Sequence, residues 1–321
     1  MELAIIKYIK KNGLEKALKD FKLKSRDYDN KVLIKYDQID SNMGIPEVQD
    51  CRGLILEKNS WKIMCMSFRK FFNSAEGHAA KIDWNTAHIL EKLDGSMIQL
   101  YWDWNKKTWF AATTGTGEGE GEVNNKLGLT FNSLFMDTIK EKYNFNVNDL
   151  NKDYVYVFEL TTPYNIVVKP HAESSATILA IRNRITLKEK SYNEIVEFGE
   201  LVGLPVVKAY DLNATNAGAL IRTFEGMPWT DEGYVVVDGE HNRIKIKNPA
   251  YVAMHHTKSK LGKHHILEVL KANEIDEFAA TFPERKDEIF KLKENYDKLI
   301  SDLEGGWLEL KEFLPSNITK K

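Results

Sequence analysis

Hydrophobic positions recur along this chain with two different periods. In the first stretch, "LAIIKYIKKNGLEKALKDF", they recur every three or four residues, which predicts an amphipathic helix interrupted near Gly13. The runs that follow are short, rich in β-branched and aromatic residues, and separated by Gly, Asn or Asp, and this pattern predicts strands. The predicted strands are KVLIKYDQI, CRGLILEK, WKIMCMSFRKF, AHILEKL, GSMIQLYWDW, TWFAATTG, YVYVFEL, NIVVK, ATILAIRN, EGYVVVD and RIKIK.

Helices are predicted between these strands over residues 130–142, 191–202 and 213–224. After Asn248 no strand pattern remains, and helices are predicted at HHILEVLKAN, ERKDEIFKLKENYDKLISDL and GGWLELKEFL. The sequence therefore predicts an α+β domain of packed antiparallel sheets with flanking helices over residues 1–248. A small all-helical domain over residues 249–321 is predicted to follow it.

Composition narrows the class of protein. Hydrophobic residues make up 43% of the chain and charged residues 29%, which is typical of a globular domain. The 45 Lys and Arg residues nearly balance the 47 Asp and Glu residues. A nucleic-acid partner would therefore need local basic clusters, because the average charge provides no attraction.

Cysteine content and apolar runs indicate the cellular setting. Cys51 and Cys65 form no CxxC pair and have no histidine at ligand spacing, which argues against a zinc site and against a disulfide framework. The opening "MELAIIKYIKKNG" has too short an apolar run for a signal peptide and lacks a small-residue cleavage site, and no apolar run is long enough to span a bilayer. We expect a cytoplasmic protein without a membrane partner, and we favour a monomer.

One lysine stands at a sharp turn. In "EKLDGSMIQLYW", Lys92 is followed by Asp94 and Gly95 and then by an apolar and aromatic run. Taken alone, this K-x-D-G string also fits a hairpin turn with an exposed lysine.

Three later strings place further charges beside strands. Glu159 ends "YVFEL", Glu232 opens "EGYVVV", and the alternation of "RIKIK" places Lys245 and Lys247 on one face of a strand. Together with K-x-D-G, these strings resemble the covalent nucleotidyltransferase superfamily of ligases and capping enzymes. The chain is most similar within it to the RNA ligase 1 family of tailed phages, through CRGLILE, SFRKFFN, FELTTPYN and KIKNPAYVAMHHTKS. The predicted helical tail, in place of the β-barrel of DNA ligases and capping enzymes, favours the RNA ligase family.

The resemblance implies an ATP-dependent RNA ligase that joins 5′-phosphate and 3′-hydroxyl ends. Its first domain would be the nucleotidyltransferase domain. The implied steps are adenylation of Lys92, transfer of AMP to the RNA 5′-phosphate, and attack by the 3′-hydroxyl. A lysine amine attacks phosphorus only when neutral, which is rare at pH 7 for a pKa of about 10.4. We therefore expect nearby cations and partial burial to lower the pKa of Lys92.

The resemblance also implies roles for other basic residues. Arg52 and Lys70 would approach the outgoing phosphates, whereas Lys245 and Lys247 would contact the α-phosphate and one of them would help to expel pyrophosphate. Such a cluster suits nucleotidyl transfer, which depends on positioning and charge neutralisation. Tyr36 matches a nucleotide-contacting tyrosine, although its string also fits a tyrosine at a sheet edge.

Three acidic residues have different implied roles. Glu159 matches a residue that hydrogen-bonds the ribose, since a carboxylate accepts from a hydroxyl. Glu232 is expected to order Mg²⁺ or Mn²⁺ and its waters. Asp276, in "NEIDEFAATF", matches a metal-binding aspartate of the family's helical domain, although an acidic residue at a helix N-terminus fits equally well. The strand ATILAIRN is expected to line the base pocket.

One segment departs from the resemblance. The family commonly has a basic K-G-S-like string after the lysine motif, where this chain has the acidic "TTGTGEGEGEV". The tract GTGEGEGE predicts a mobile loop without a specific role. We therefore carry over no RNA contact to this loop.

RNA contacts are expected near the predicted domain boundary. From Arg243 to Leu267 the chain has six Lys or Arg residues, four His and no Asp or Glu, a footprint that suits phosphates. The histidines lack the cysteine or carboxylate partners of a structural zinc site. We favour backbone contacts through Lys258, Lys260 and Lys263.

The predicted partner is RNA with a 5′-phosphate and a 3′-hydroxyl, such as a cleaved transfer RNA in need of repair. Three alternatives stay open at this stage. They are a capping guanylyltransferase that uses GTP, a DNA ligase, and a non-catalytic RNA-binding module with the same fold.

Overall fold

The computed structural model describes residues 2–123, 128–165, 167–258 and 286–313. The chain divides into two compact units, residues 1–252 and 253–321. The strands are β1 Leu23–Asp27, β2 Lys31–Tyr36, β3 Arg52–Glu57, β4 Ile63–Cys65, β5 Phe72–Asn73, β6 His88–Glu91, β7 Ser96–Asp103, β8 Thr108–Ala112, β9 Tyr154–Thr161, β10 Ser175–Asn183, β11 Ala209–Tyr210, β12 Gly233–Val237 and β13 Arg243–Lys247. The α-helices are α1 Ala4–Asn12, α2 Leu14–Asp20, α3 Pro46–Gln49, α4 Phe131–Asp137, α5 Tyr192–Val202, α6 Ala217–Arg222, α7 Pro249–Lys258 and α8 Lys286–Phe313.

Three sheets form the first unit. Their strand orders are β1-β2-β3-β4, β10-β9-β7-β8 and β11-β6-β12-β13-β5. The pairs are antiparallel except β13 with β5, which is parallel. The predicted α+β class with antiparallel sheets is confirmed.

The first two sheets pack face to face, and helices cover their outer faces. Side chains of β2–β4 meet those of β7–β10 in one apolar cluster that includes Leu33, Ile55 and Tyr101. Helices α1–α3 cover the other face of the first sheet, and α4 and α5 cover the second. Because both faces of β7 are buried, its apolar run continues along the strand instead of alternating with polar residues.

Local signals explain where several helices begin and end. Gly13, at φ +86°, separates α1 from α2 at the predicted interruption. Ser191 and Glu194 form a capping box at the start of α5, and Gly203 ends that helix in the left-handed conformation. Asn248 precedes α7, and its side-chain oxygen accepts from Ala250 N at 3.0 Å.

Several predicted elements differ from the structure. The described residues of the run NIVVK, 165 and 167–169, form no strand, and the backbone N–H groups of Val168 and Lys169 bond to an aspartate instead of to a neighbouring strand. Helix α8 continues through Gly305 and Gly306, so the predicted break before GGWLELKEFL is wrong. Two glycines weaken a helix by about 1 kcal/mol each, and a helix of 28 residues tolerates them. The predicted helix HHILEVLKAN lies outside the described residues, and the all-helical domain stays a prediction.

No described helix combines the length and the apolar composition needed to cross a bilayer.

Candidate active site

Lys92 lies immediately after β6, against the first residue of β12. Its backbone N–H donates to Gly233 O at 2.9 Å, which extends the β6–β12 ladder by one residue. Gly233 has φ +132°, and a Cβ at this position would collide with the carbonyl oxygen of Ile246. The strand that holds Lys92 therefore depends on a glycine directly opposite it.

Lys92 and Lys247 share a carboxylate. The Lys92 Nζ atom lies 2.6 Å from Glu232 Oε1, and Lys247 Nζ lies 3.8 Å from the same oxygen. Only 6% of the Glu232 side chain is exposed. The cation Lys247 is thus near the Lys92 amine, as expected, but the ion-pair partner of that amine is the carboxylate of Glu232.

The aspartate of the K-x-D-G string holds two other segments against the lysine turn. Asp94 Oδ2 accepts from Val168 N at 2.9 Å and from Lys169 N at 2.5 Å. The Tyr251 hydroxyl donates to Asp94 Oδ1 at 3.1 Å, and His171 Nε2 donates to the Asp94 carbonyl oxygen at 2.9 Å. The carboxylate thus fixes the loop after β9 and the start of α7 around the turn.

Glu159 is brought to the same place by the neighbouring sheet. It lies on β9 opposite Met97, and a Cβ on Gly95 would approach its Cγ to 3.1 Å. Burial raises the pKa of Glu159 to about 8, against the opposing charges of Lys92 and Arg52. At neutral pH this carboxyl is therefore mostly protonated, and in that form it can donate a hydrogen bond as well as accept one.

A cavity of about 290 Å³ opens beside Lys92 and Glu159. Its apolar lining comes from the second and third sheets and from segments between strands, and consists of Phe68, Phe71, Leu90, Leu93, Met97, Leu179, Val207, Val235 and Val237. Arg52, Arg243, Glu91, Thr114 and Gly95 complete the lining. An apolar slot with a few charged groups at its ends suits a nucleotide. Leu179 belongs to ATILAIRN, so this strand does line the cavity.

The other predicted basic residues lie near the cavity but differ in position. The Arg52 guanidinium packs over Phe68 and Phe71, with Cζ at 4.9 and 5.2 Å from the ring centroids. Lys70 Nζ lies 5.6 Å from the ring of Tyr36, and neither of these two side chains is among the residues that line the cavity.

Lys245 and Lys247 share one face of β13, since both are partly buried and alternate with buried isoleucines. Lys245 pairs with Val235 on one side and with Asn73 on the other. The predicted two-lysine face is thus present beside the cavity-lining strand β12.

The predicted metal ligands are described only in part. Glu232 faces the lysine cluster, whereas Asp276 lies outside the described residues. Within the described ranges, no three His, Cys, Asp or Glu side chains converge closely enough to hold a metal ion. A single buried carboxylate beside a nucleotide cavity is compatible with Mg²⁺, which often takes its remaining ligands from phosphates and water.

The sequence matches the protein family described as RNA ligase over residues 50–251. The match covers more than half of the chain and extends from the cavity-lining Arg52 to Lys247. The chain belongs to the RNA ligase family.

Two relatives extend this assignment. An RNA ligase of Rhodothermus phage RM378 is 27% identical over 320 residues, covering 80% of this chain and 71% of the relative. A protein of Autographa californica nuclear polyhedrosis virus, named as a bifunctional polynucleotide kinase/RNA ligase, is 27% identical over 308 residues. That alignment covers 88% of this RNA ligase but only 42% of the larger viral protein. The predicted phage-type RNA ligase family is confirmed.

The fold is shared with a solved structure of low sequence identity. An archaeal ATP-dependent RNA ligase superposes with a TM-score of 0.52, covering 94% of this chain and 83% of the archaeal chain at 13% identity.

Two residues around this site, Arg243 and Asp94, were given no role by the sequence-based prediction. Arg243 lines the cavity, and it stands two residues before Lys245 on the same face, so the alternation of RIKIK contained the signal. The sequence placed Asp94 in a turn. Its contact with Tyr251 joins residues 157 positions apart, so no local sequence pattern could predict it.

The acidic loop of this RNA ligase is held in place by hydrogen bonds and ion pairs. Lys31 is fully buried, 2.6 Å from Asp103 Oδ2 and 2.9 Å from Glu118 Oε1. Glu120 Oε1 accepts from the Tyr28 hydroxyl at 2.6 Å and pairs with Arg26 Nη1 at 2.8 Å. The predicted lack of a specific role does not account for these contacts, which tie the tract GTGEGEGE to the first sheet through Glu118 and Glu120, whereas its mobility stays a prediction. Glu118 thus gives the buried Lys31 a second carboxylate beside Asp103, and Glu120 pairs with Arg26.

Proposed function

We propose that this RNA ligase uses ATP and forms a covalent lysyl-AMP intermediate on Lys92. The observation that supports this most directly is the position of the Lys92 amine, which lines the cavity together with Glu159 and is paired with Glu232. The cavity has an apolar interior for a base, and charged groups stand beside the lysine.

In the first step, the neutral Lys92 amine attacks the α-phosphorus of ATP, a P–N bond forms, and pyrophosphate leaves. The amine must lose a proton before it attacks, so its pairing with Glu232 has to be exchanged or relaxed when the nucleotide binds. In the second step, an oxygen of the RNA 5′-phosphate attacks the same phosphorus, and Lys92 leaves. In the third step, the RNA 3′-hydroxyl attacks the 5′-phosphorus of the AMP-capped RNA, and AMP leaves.

The surrounding residues supply charge and orientation. Lys245 and Lys247 stand on the face of β13 that continues from Lys92 and would neutralise the α-phosphate. Arg52 would contact the outgoing phosphates from the opposite wall. Lys70 and Tyr36 lie together outside the lining and would act at the entrance.

Glu159 and Glu232 have separate roles in this proposal. Glu159, mostly protonated at neutral pH, would exchange hydrogen bonds with the ribose hydroxyls. Glu232, with Asp276 from outside the described residues, would hold Mg²⁺ or Mn²⁺, which when bound supplies charge neutralisation to the triphosphate.

The RNA partner would carry a 5′-phosphate and a 3′-hydroxyl, and repair of a cleaved transfer RNA is the proposed task. The acid-free run from Arg243 to Leu267 supports contact with the RNA backbone. Lys260 and Lys263 of this run lie outside the described residues. Neutralising both, together with Lys258, should reduce the salt dependence of RNA affinity. An unchanged slope would remove these lysines from the interface.

The deciding experiment is intact mass after incubation with ATP and Mg²⁺. We expect an increase equal to one AMP in the wild type and in a Lys81→Ala control, whose lysine is exposed and belongs to none of the motif strings. Lys92→Ala should show no increase. A Lys92→Ala protein that still acquires AMP would refute the assignment.

Two further comparisons address the alternatives. An adduct that forms with GTP but not with ATP would favour a capping guanylyltransferase. Sealing of nicked DNA in preference to single-stranded RNA would favour a DNA ligase, and the absence of any adduct would favour a non-catalytic module.

A further inference from the structure

The strand register orders the cavity wall from the lysine end inward. Residues two apart on a strand point to the same face, so β6, β12 and β13 contribute matched rows. From the lysine end, the rows are Lys92, Gly233 and Lys247, then Leu90, Val235 and Lys245, then His88, Val237 and Arg243. Successive rows are roughly 7 Å apart along the strands, which places Arg243 about 13 Å inward from the row of Lys92.

A nucleotide attached at Lys92 must extend its base along these rows. Its phosphorus is bonded at the first row, and the ribose and the base follow inward. Apolar side chains of Leu179, Val207 and Val237 line the same cavity, and Val237 shares the third row. Arg243 is therefore a charged group in the part of the cavity where an apolar base surface would pack.

The Arg243 guanidinium is held rigidly. Its Nη1 and Nη2 atoms donate to the two oxygens of Glu189 at 3.2 and 2.5 Å, and Nη1 also donates to the His241 carbonyl at 3.1 Å. Its Cζ lies 4.7 Å from the ring centroid of Phe68, another lining residue. A guanidinium has five N–H groups, so these contacts engage three of them and leave two for a ligand.

A structural ion pair alone does not account for this arrangement. Glu189 has a second cation, Arg182, whose Nη1 lies 3.6 Å from Oε1. The carboxylate thus has partial charge compensation without Arg243. Arg243 also lines the cavity, and two of its N–H groups are not used by these contacts.

We propose that Arg243 donates a hydrogen bond to a ring nitrogen of the purine base, and that Glu189 is the positioning residue that holds the guanidinium for this contact. The inference rests on the proposed function, because it presumes a nucleotide on Lys92. Adenine presents ring-nitrogen acceptors at N1, N3 and N7, so a donor fixed in this place would favour adenine over a base that lacks an acceptor at the contacted position.

The test measures the efficiency of Lys92 adenylation with ATP and with 1-deaza-, 3-deaza- and 7-deaza-ATP, each of which replaces one acceptor by C–H. A hydrogen bond from a charged donor corresponds to a loss of roughly 10- to 100-fold when it is removed. We expect one analogue to lose this much with the wild type. Arg243→Lys keeps the charge beside Glu189 but lacks the forked guanidinium. Its adenylation efficiency with ATP should fall by a similar factor, and replacing ATP by that analogue should lower the efficiency no further.

Three additional variants complete the design. Arg243→Gln should give the same result as Arg243→Lys. If thermal melting shows that the glutamine variant does not fold, the test rests on the lysine variant. Glu189→Gln should weaken the discrimination between ATP and the sensitive analogue, whereas Arg222→Gln, at an exposed arginine, should reproduce the wild-type pattern.

Equal ratios of analogue to ATP in the wild type and in Arg243→Lys would overturn the inference, as would a wild type indifferent to all three analogues. Failure of the proposed function is a separate result, since the wild-type protein would then form no Lys92 adduct even with ATP.

Discussion

The raised pKa of Glu159 predicts a specific dependence of stability on pH. Burial raises this pKa from 4.5 to about 8 in the folded protein. Between these two values the unfolded chain has released the proton and the folded protein still holds it, so the free energy of unfolding falls as pH rises. Below pH 4.5 and above pH 8 both states carry the same charge at this residue, and its contribution is constant.

The magnitude follows from the same two values. One pKa unit corresponds to about 1.4 kcal/mol, so complete ionisation of Glu159 would lower the free energy of unfolding by at most about 5 kcal/mol. Solvent in the open cavity screens the charge, and we expect a change of about 3 kcal/mol. Glu159→Gln keeps the size and removes the titration, so the mutant should lack this part of the pH dependence.

The assay is urea denaturation followed by tryptophan fluorescence at several values between pH 4.5 and 9. The quantity of interest is the wild-type free energy of unfolding minus that of Glu159→Gln. It should fall through the interval by up to about 1.4 kcal/mol per pH unit and then level off near pH 8. An exposed control, Glu197→Gln, should show no such slope relative to the wild type. A difference that stays flat from pH 5 to 8 for Glu159→Gln would refute the buried, mostly protonated state.

Three further predictions concern the scaffold of the site. Lys31→Met should lower the free energy of unfolding, measured by urea denaturation, by about 3 to 5 kcal/mol because Asp103 is left buried without its cation. The double variant Lys31→Met/Asp103→Leu should recover much of this loss. Gly233→Ala should abolish Lys92–AMP formation or destabilise the fold. As a control, Gly305→Ala lies inside a helix with open space around it and should raise the free energy of unfolding by about 1 kcal/mol. A Gly233→Ala protein with unchanged stability and unchanged Lys92–AMP formation would contradict the contact with Ile246 O. Asp94→Asn, which weakens the acceptor for two backbone N–H groups, should slow adenylation at least about tenfold in single-turnover intact-mass kinetics, and an unchanged rate would show that this clamp is dispensable.

Local patterns were sufficient to predict most strands and the lysine face of β13. Alternation identified the face of β13 with its two lysines, and β-branched runs identified the strands that enclose the cavity. Some short or exposed strands were not predicted from the sequence. β1, for example, has four exposed residues, and a strand that buries few side chains shows little hydrophobic pattern.

The sequence by itself determined the family, the α+β class and the principal charged residues around Lys92, because periodicity and motif spacing are local properties. Only the tertiary structure decided which charges meet. Arg243 pairs with Glu189, which is 54 residues away in the sequence, and Lys31 pairs with Asp103, which is 72 residues away. The tertiary structure also decided the protonation of Glu159 and the contacts of the acidic loop, since both depend on burial and on partners brought together from different sheets. Electrostatic free energies vary steeply with distance and with exposure to water, and neither quantity is encoded by neighbours along the chain.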